Sequence, residues 1–464
     1  MSNHKSIGRN RMKTIRRRFR SALLMGAAAS VLAFTAGAKA QDKDHDRDSH
    51  PSDNTWPYAT TGKSPVLAVV GDISCQPGGE VTGEAGNEVC SDPATPPAYT
   101  SSSLWLSQEA TANQIETMKP DAVALLGDLQ YQVGRYSDFE GSFDLTYGAF
   151  KFLQRPAPGN HEFYNEHGET GVAGYGYFSY YNGFQTDAHG NPITTTVPNP
   201  CPIASASCKS APATEPLFAQ PVPRADGQAA HFELGANAGV NGSGVGDGWY
   251  SYNLGSWHLI SLNIECYTQP PHSPDGCSST GSGTWLGAEL EWLKKDLEED
   301  HSACTLAYWH QPLFSAANSL SEEGTTSEAF WQLLYEHNAD LVLNGHDHLY
   351  ARYKPLDPAG NPDPRKGIRE FIVGTGGETL DKVSTTGTTS NSGGDNNFNT
   401  KNLEASTGNY WGVMSLTLDK HGYKWDFEQA LALPGAPAGP YSDQGVGSCH
   451  GSPNGDRDDD DHGR

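Results

Sequence analysis

The sequence predicts an α/β domain in which a β-sheet is covered by helices. Between about Ser64 and Ala430, short apolar runs typical of strands alternate with stretches of helical periodicity. Several apolar runs also end in a small group of polar residues, as expected where strands of an open sheet meet at a binding crevice. No internal repeat and no second domain are evident in this region.

The elements follow from local composition. Candidate strands are short runs rich in β-branched, aromatic and leucine residues: Val66–Val70, Ala122–Leu126, Trp249–Leu254, Trp257–Asn263, Thr305–Trp309, Leu341–Leu343, Glu370–Val373 and Trp411–Leu418. Helical periodicity is found at Leu104–Met118, Phe139–Leu153, Trp285–Leu297 and Glu328–Glu336. Gly255-Ser256 predicts a hairpin turn. Residues 163–248 and 381–408 lack a regular pattern, and loops of that length are usually functional or mobile.

The first forty residues are predicted to be a signal peptide. The basic run Arg16-Arg17-Arg18-Phe19 precedes an alanine-rich apolar stretch that is short for a membrane span. Cleavage after Ala40 would leave Gln41 as the first residue. The paired arginines resemble a twin-arginine export signal. Ordinary secretion of the unfolded chain is the alternative.

The rest of the chain is predicted to be one folded domain, residues 64–430 with an insertion at 163–248, between two acidic segments. Residues 41–63 are predicted to form a disordered linker and residues 431–464 a mostly disordered tail, because the Asp-rich ends of the mature chain are poor in apolar residues. No run in the mature chain is long and apolar enough to span a membrane.

The chain is strongly acidic, with 55 acidic and 31 basic residues. The predicted leader carries nine Lys or Arg and no acidic residue, so its removal lowers the formal charge from −24 to −33. Such a surface repels polyanions, which argues against a general nucleic-acid-binding footprint. Any phosphate substrate must be attracted by local positive charge, such as bound metal ions.

All eight cysteines follow the predicted cleavage site, and export would place them where disulfides persist. Short loops favour the pairs 75 with 90, 201 with 208 and 266 with 277, leaving 304 with 449, although connectivity does not follow from sequence.

Five polar motifs follow candidate strands or stand between them. They are Gly71-Asp72, Gly127-Asp128-Leu129-Gln130-Tyr131, Gly159-Asn160-His161-Glu162, the isolated His310 and Gly345-His346-Asp347-His348. Each motif alone is a weak signal, since Gly-Asp is usually a turn and a single His is usually packed in the core. Their joint occurrence in this order predicts that Asp, Tyr, Asn and His ligands converge on one crevice.

This order resembles the calcineurin-like metallophosphoesterases, specifically the purple acid phosphatase branch, over most of residues 65–430. The resemblance implies a four-layer αββα sandwich as a single catalytic domain. It implies two metal ions, the first held by Asp72, Tyr131 and His348, the second by Asn160, His310 and His346, with Asp128 bridging both. Residues 64–430 then become the catalytic domain of an exported phosphoesterase.

One pair of residues suggests which metals bind. The wider superfamily usually has His two residues after the first Asp, where this chain has Ser74, and the purple branch supplies a Tyr instead, here Tyr131. A phenolate oxygen is a hard donor, so the first ion is predicted to be Fe(III). The second is predicted to be divalent: Zn, Mn or Fe(II).

The resemblance also implies a mechanism in which metal-bound hydroxide attacks a phosphate monoester. His161 is the candidate general acid, with Glu162 or another carboxylate orienting it. Phe163, Tyr164, Tyr175, Tyr177, Phe178, Tyr180 and Tyr181 would either wall the substrate site or pack within the insertion.

Two features depart from the family pattern. Cys75 lies where no disulfide is expected, close to a ligand, and Pro312–Glu322 contains no histidine although many relatives have one there. Substrate specificity is therefore not inherited. A phosphodiesterase or nucleotide hydrolase on the same scaffold is an alternative. A non-catalytic metal- or phosphate-binding protein is a third reading, which the retained His161 disfavours.

Overall fold

The computed structural model describes residues 63–77, 90, 104–163, 174–197, 218–225, 227–230, 232–234, 244–246, 248–265, 285–317, 324–384, 397–398 and 400–450. These residues belong to one compact unit, Asn54–Arg464. None of the described helices is long and apolar enough to cross a membrane.

The strands form two large sheets and three small ones. In chain order they are β1 (Val66–Val70), β2 (Ala122–Leu126), β3 (Gln154–Ala157), β4 (Thr194–Val197), β5 (Phe218–Pro221), β6 (Phe232–Leu234), β7 (Gly244–Gly246), β8 (Tyr250–Leu254), β9 (Trp257–Ser261), β10 (Cys304–Tyr308), β11 (Phe314–Ser315), β12 (Leu341–Asn344), β13 (Tyr350–Tyr353), β14 (Arg369–Val373), β15 (Asn397–Phe398), β16 (Leu403–Thr407), β17 (Tyr410–Asp419), β18 (Gly422–Ala432) and β19 (Ser442–Ser448). The first large sheet has the order β19-β18-β17-β1-β2-β3, and the second β16-β13-β14-β12-β10-β9-β8. The pairs β11-β15, β4-β5 and β6-β7 form the small sheets.

The main helices are α1 (Leu104–Met118), α2 (Asn160–Phe163), α3 (Tyr175–Asn182), α4 (Trp285–Glu299) and α5 (Gly324–Glu336). A 3-10 turn covers Thr400–Asn402. Between β2 and β3 the chain forms short helical pieces at Tyr136–Asp138, Phe139–Phe143, Asp144–Thr146 and Tyr147–Leu153.

Alternation along the strands produces four layers. In β1, Leu67 and Val69 lie in the core between the two large sheets, whereas Ala68 and Val70 pack with α1 on the other face. In the second sheet, residues such as Leu306 face the central core, and Ala307 packs with α4 and α5. Successive side chains of a strand point to opposite faces, so each sheet separates two apolar cores. The predicted αββα sandwich is confirmed.

The predicted long helix over Phe139–Leu153 is wrong. The segment contains a π-helical turn, an α-helical turn and a 3-10 turn, and Phe150 has non-helical angles of φ −119° and ψ 25°. Gly141 and Gly148 disfavour a continuous helix. Phe139, Phe143 and Phe150 all lie in the core beneath α1, although a regular helix would also place them on one face.

The prediction of a mostly disordered tail from residue 431 is wrong for residues 431–450, which the structure describes. β18 extends to Ala432, and β19 pairs with it over its whole length. Gly445 and Gly447 make this strand look like a loop in sequence. A Cβ at these positions would lie 2.2 Å from the Trp425 ring and 2.3 Å from the Tyr423 ring, so glycine lets the rings lie against the strand. Residues 451–464 lie outside the described residues.

Two disulfides lie within the described residues: Cys75–Cys90, which its short loop favoured, and Cys304–Cys449, the pair that remained. The expectation of no disulfide close to Asp72 is wrong. After Asp72 the chain turns toward α1, where Cys75 packs with Cys90 and Leu104, so the bridge lies on the helix side of the sheet. The other two suggested pairs lie outside the described residues.

Candidate metal centre

The polar motifs occupy the carboxyl ends of parallel strands in both large sheets. Asp72 follows β1, Asp128 follows β2 and Asn160 opens α2 after β3. His310 follows β10, and the pair His346 and His348 follows β12. Because these strand ends lie at the same edge of the sandwich, the side chains of two sheets converge on one site.

Unusual backbone angles aim these side chains. Asp72, Asp128 and His346 have φ values of 59°, 48° and 68°, in the left-handed region that non-glycine residues seldom adopt. Glycines make room beside them: a Cβ on Gly159 would lie 2.3 Å from Asp128 Oδ1, and one on Gly345 would lie 2.6 Å from Asp72 Oδ2. Such angles cluster at functional sites, where the surrounding structure holds them in place.

The Tyr131 hydroxyl joins the first group of candidate ligands. It lies 2.9 Å from His348 Nε2, 3.2 Å from Asp72 Oδ1 and 3.1 Å from Asp128 Oδ2. His348 Nε2 is 3.4 Å from Asp72 Oδ1. All four predicted residues therefore meet around the phenolic oxygen.

The second group shares Asp128 with the first. His310 Nε2 lies 3.0 Å from Asp128 Oδ2, and His346 Nδ1 lies 3.4 Å from His310 Nε2. The ligand atoms of Asp128, His310 and His346 all lie within 4.8 Å of one another, and so do those of Asp72, Asp128 and His348. Asn160, 8% exposed, contacts the residue after His310 through the amide of Gln311, at 3.5 Å.

Backbone carbonyls orient the imidazole rings. His310 Nδ1 donates to Leu126 O at 2.8 Å, and His348 Nδ1 donates to Thr379 O at 2.9 Å. A carbonyl can only accept, so these bonds place the proton on Nδ1 and turn Nε2 toward the centre. Metal-ligating histidines are usually oriented in this way.

In His310 and Asp128, burial and the neighbouring charges shift the pKa in opposite directions. Burial lowers the pKa of His310, but the charge and hydrogen bond of Asp128 outweigh it and raise that pKa to about 10. Burial, followed by repulsion from His310, lowers the pKa of His346 to about 3. Burial raises the pKa of Asp128, and His310 and His161 reverse this so that it lies well below the usual range. Burial and the neighbouring His310 thus both disfavour a charge on the His346 ring.

His161 lies at the edge of the centre. Its Nδ1 donates to Gln132 O at 2.6 Å, its Nε2 lies 3.8 Å from Asp128 Oδ2, and its side chain is 15% exposed. Its backbone N–H donates to Asp128 Oδ1 at 3.0 Å. The Nε2 edge of the ring is thus directed at the site, and the side chain is partly open to solvent.

The predicted role of Glu162 in orienting His161 is corrected by the structure. Its carboxylate accepts the backbone N–H groups of Leu129 and Gln130 at 2.9 and 3.1 Å and that of Gly159 at 2.8 Å. These donors belong to two different ligand loops. Glu162 therefore ties the Asp128 loop to the Asn160 loop, and the Gln132 carbonyl orients His161.

Sequence reasoning missed the loop after β14. Thr379 O fixes the His348 ring, and Asp381 Oδ2 accepts the His348 backbone N–H at 3.1 Å. Gly376 and Gly377 let this loop lie directly on the Asp72 loop, where a Cβ would meet the oxygens of Gly71 and Ile73 at 2.5 and 2.2 Å. The run Gly374-Thr375-Gly376-Gly377 was the signal that could have identified it.

The aromatic residues of the insertion are packed in the core. Tyr177 and Phe178 are fully buried, and Tyr175, Tyr180 and Tyr181 are nearly so. They join the cluster of Phe139 and Phe143 beneath the first sheet. Of the two readings, packing is confirmed for the described members, including Phe163, while Tyr164 lies outside the described residues.

Comparison with known proteins identifies relatives of this chain. The family model of the calcineurin-like phosphoesterases matches residues 65–350. Acid phosphatase A of Cryphonectria parasitica is 26% identical over 150 residues, which cover 30% of this chain and 29% of that protein. Purple acid phosphatase 15 of Arabidopsis thaliana is 32% identical over 121 residues, which cover 24% of this chain and 20% of that protein.

A purple acid phosphatase from yellow lupin seeds aligns in structure with a TM-score of 0.46 and 16% identity, covering 82% of this chain and 53% of that chain. The sequence matches span between a fifth and three tenths of the length of the two curated relatives. The family match, in contrast, extends over more than half of this chain and contains every candidate ligand. The chain belongs to the calcineurin-like phosphoesterase family.

Proposed function

We propose that this chain is an exported phosphoesterase that uses two metal ions to hydrolyse phosphate monoesters. The observation that supports this most directly is that two groups of ligand atoms share Asp128. A carboxylate common to two adjacent sites is what a bridging ligand of a dinuclear centre requires. Named relatives that are acid phosphatases favour the same activity.

The donors present fit two metal ions. We assign Asp72, Tyr131 and His348 to the first ion, Asn160, His310 and His346 to the second, and Asp128 to both. Carbonyls hold the Nδ1 protons of His310 and His348, so Nε2 is the atom of each ring that would bind an ion, and the cation would displace any proton carried there in its absence. When bound, the two metal ions would lower the pKa of a water molecule and would supply positive charge for the phosphoryl oxygens.

His161 is proposed as the general acid. Its Nδ1 stays bonded to Gln132 O, so Nε2 is the atom that would carry a proton to the departing alcohol. Partial exposure allows that proton to be replaced from solvent. Glu162 does not take part in this transfer, because its carboxylate is occupied by backbone donors.

The first ion is proposed to be Fe(III) and the second Zn, Mn or Fe(II). Ser74 is buried beside Gln130, to which its backbone forms a bridge, and its carbonyl accepts the Tyr131 N–H at 2.9 Å. The short side chain therefore lies next to the residue that would replace the usual histidine. A phenolate favours a trivalent ion.

A substrate panel tests the proposed activity. Purified mature protein with measured metal content should hydrolyse phosphate monoesters well above matched diesters carrying the same leaving group. Asp128→Asn should abolish turnover and lower metal content, whereas Asp187→Asn, in an exposed turn, should change neither. Equal or faster turnover of diesters would contradict the monoester assignment, and a fully metal-loaded protein without turnover would contradict the enzymatic one.

A further inference from the structure

A buried chain of polar side chains leads to the candidate second-metal site. Glu265, just after β9, and Gln311, just after His310, are both completely buried. Gln311 Nε2 donates to Glu265 Oε1 at 2.7 Å and contacts Asn160 Oδ1 at 3.5 Å. Three segments that are distant in sequence thus meet behind one candidate ligand.

Burying a carboxylate and an amide is costly unless their polar atoms are paired. Gln311 Oε1 accepts no hydrogen bond from the described residues. Hydrophobic residues of similar volume would fill this position without that cost, so packing alone does not account for Gln311. Its Nε2 atom, in contrast, contacts both Glu265 and Asn160.

The direction of these contacts follows from the chemistry of Glu265. Gln311 turns its NH₂ group toward Glu265 Oε1, the orientation that an ionised carboxylate requires because it can only accept hydrogen bonds. The second hydrogen of the same nitrogen faces Asn160, which must then present its oxygen. The reverse orientation of either amide would place two donors or two acceptors against each other.

We propose that Glu265 and Gln311 are positioning residues that fix the orientation of the Asn160 amide, so that its oxygen rather than its nitrogen is available to the second metal ion. The proposal rests on the ligand set of the proposed function. An amide oxygen has two lone pairs, so it can accept from Gln311 and still bind a cation. A neutral amide nitrogen has no lone pair to offer, so a rotated Asn160 would be a useless ligand.

Gln311→Met tests the proposal directly, because methionine has a similar shape and no polar hydrogen. Metal-free protein is titrated with Zn²⁺ against a chromophoric chelator, and bound metal per chain is measured after dialysis. We expect one of the two zinc sites to lose ~10–100-fold in affinity, the usual effect of removing a residue that orients a ligand. The other site should change less than threefold.

Two further variants separate positioning from general damage. Gln154→Met removes another buried glutamine, whose amide bonds Tyr147 O and the Tyr181 hydroxyl far from the centre, and should leave both zinc affinities unchanged. Glu265→Gln should give an intermediate loss, because its new amide can still accept through oxygen but no longer dictates the orientation of Gln311. Melting temperatures by circular dichroism report any loss of fold.

The results distinguish a failure of the positioning role of Gln311 from a failure of the ligand set on which it rests. Wild-type protein with two zinc ions and unchanged affinities in Gln311→Met would overturn the positioning role alone. Equal losses at both sites, matched by Gln154→Met, would show general destabilisation and overturn it as well. Wild-type protein that binds fewer than two zinc ions would overturn the ligand set, and the positioning role with it.

Discussion

At the scale of single residues, the imidazoles of the centre are aimed by main-chain carbonyls. Leu126, Thr379 and Gln132 supply these acceptors to His310, His348 and His161. A carbonyl at a strand end or in an anchored loop is held by the fold itself, so each ring needs no additional side chain to set its tautomer. Substitutions at these three positions should therefore have small effects on the site.

Removing the ring of His161 should affect substrates unequally. An alkoxide leaves phosphorus only when a proton is supplied, whereas nitrophenolate leaves readily as an anion, and a general acid typically contributes ~10²–10⁴-fold. We expect His161→Ala to lose about that much on alkyl phosphates and markedly less on nitrophenyl phosphate. Steady-state kinetics with both substrates, at equal metal content, provides the measurement.

The backbone N–H of His161 still binds Asp128 in this variant, so the bridge should keep its place. His189→Ala, in an exposed turn, is the matched control. Equal losses on both substrates would show that His161 stabilises the phosphoryl group and is not the proton donor.

Tyr131 should determine the colour of the protein. A phenolate bound to Fe(III) absorbs visible light by charge transfer, so the oxidised protein should be coloured and Tyr131→Phe colourless. Absorption spectra with iron analysis on both proteins test this. A colourless, active wild type that contains only divalent metals would refute the Fe(III) assignment.

At the scale of elements, hydrogen bonds to Asp443 attach β19 to the second large sheet. From the second sheet, Arg352 donates to it through Nε at 2.7 Å and Nη2 at 3.0 Å, and the Tyr350 hydroxyl donates at 2.6 Å. Trp425 Nε1, on β18, donates at 3.2 Å. One carboxylate thus connects β19 to its own sheet and to the opposite one.

Asp443→Asn should lower the free energy of unfolding by about 1–3 kcal/mol, because paired donors would lose a charged acceptor. Burial raises the pKa of Asp443, but the hydrogen bonds of Arg352 and Tyr350 and the Arg352 charge lower it overall. A lowered pKa means that this stability is present above the ordinary Asp value of about 3.9 and is lost as pH falls below it.

Urea unfolding at pH 7 and at about pH 3 measures this difference, with Glu428→Gln on the exposed face of β18 as the control. The gap between wild type and Asp443→Asn should shrink in acid. A gap that is constant with pH would show that the carboxylate charge contributes nothing.

How far the elements could be predicted depends on whether burial leaves a pattern in the sequence. β1, β2 and α1 begin and end at the predicted residues, because the two strands are continuous apolar runs and the buried residues of α1 recur at helical spacing. β19 was missed since two of its three inward positions are glycines and the third is Asp443, and the segment after Phe139 was misjudged because aromatic spacing resembles a regular helix. Ligand identities were visible as motifs, whereas Gln311, Glu265 and Thr379 act through contacts that only the fold creates.

At the scale of the whole molecule, the residues before Lys63 lie outside the described part, so export is a prediction from sequence. Replacing Arg16 and Arg17 by Lys should leave precursor in the cytoplasm if the twin-arginine route is used. Cell fractionation and N-terminal sequencing provide the test, with mature protein expected to begin at Gln41. Unchanged secretion of the variant would support the unfolded route.

The position of β1 within its sheet has a consequence for the synthesis of the protein. It lies between β2 and β17, and Val66 pairs with Thr417, about 350 residues later in the chain. At about 5–20 residues per second, ~20–70 s separate the emergence of these partners from the ribosome. During that interval an apolar strand has an unpaired edge exposed to aggregation. We therefore expect the nascent chain to require a chaperone until translation is nearly complete, with metal loading only afterwards.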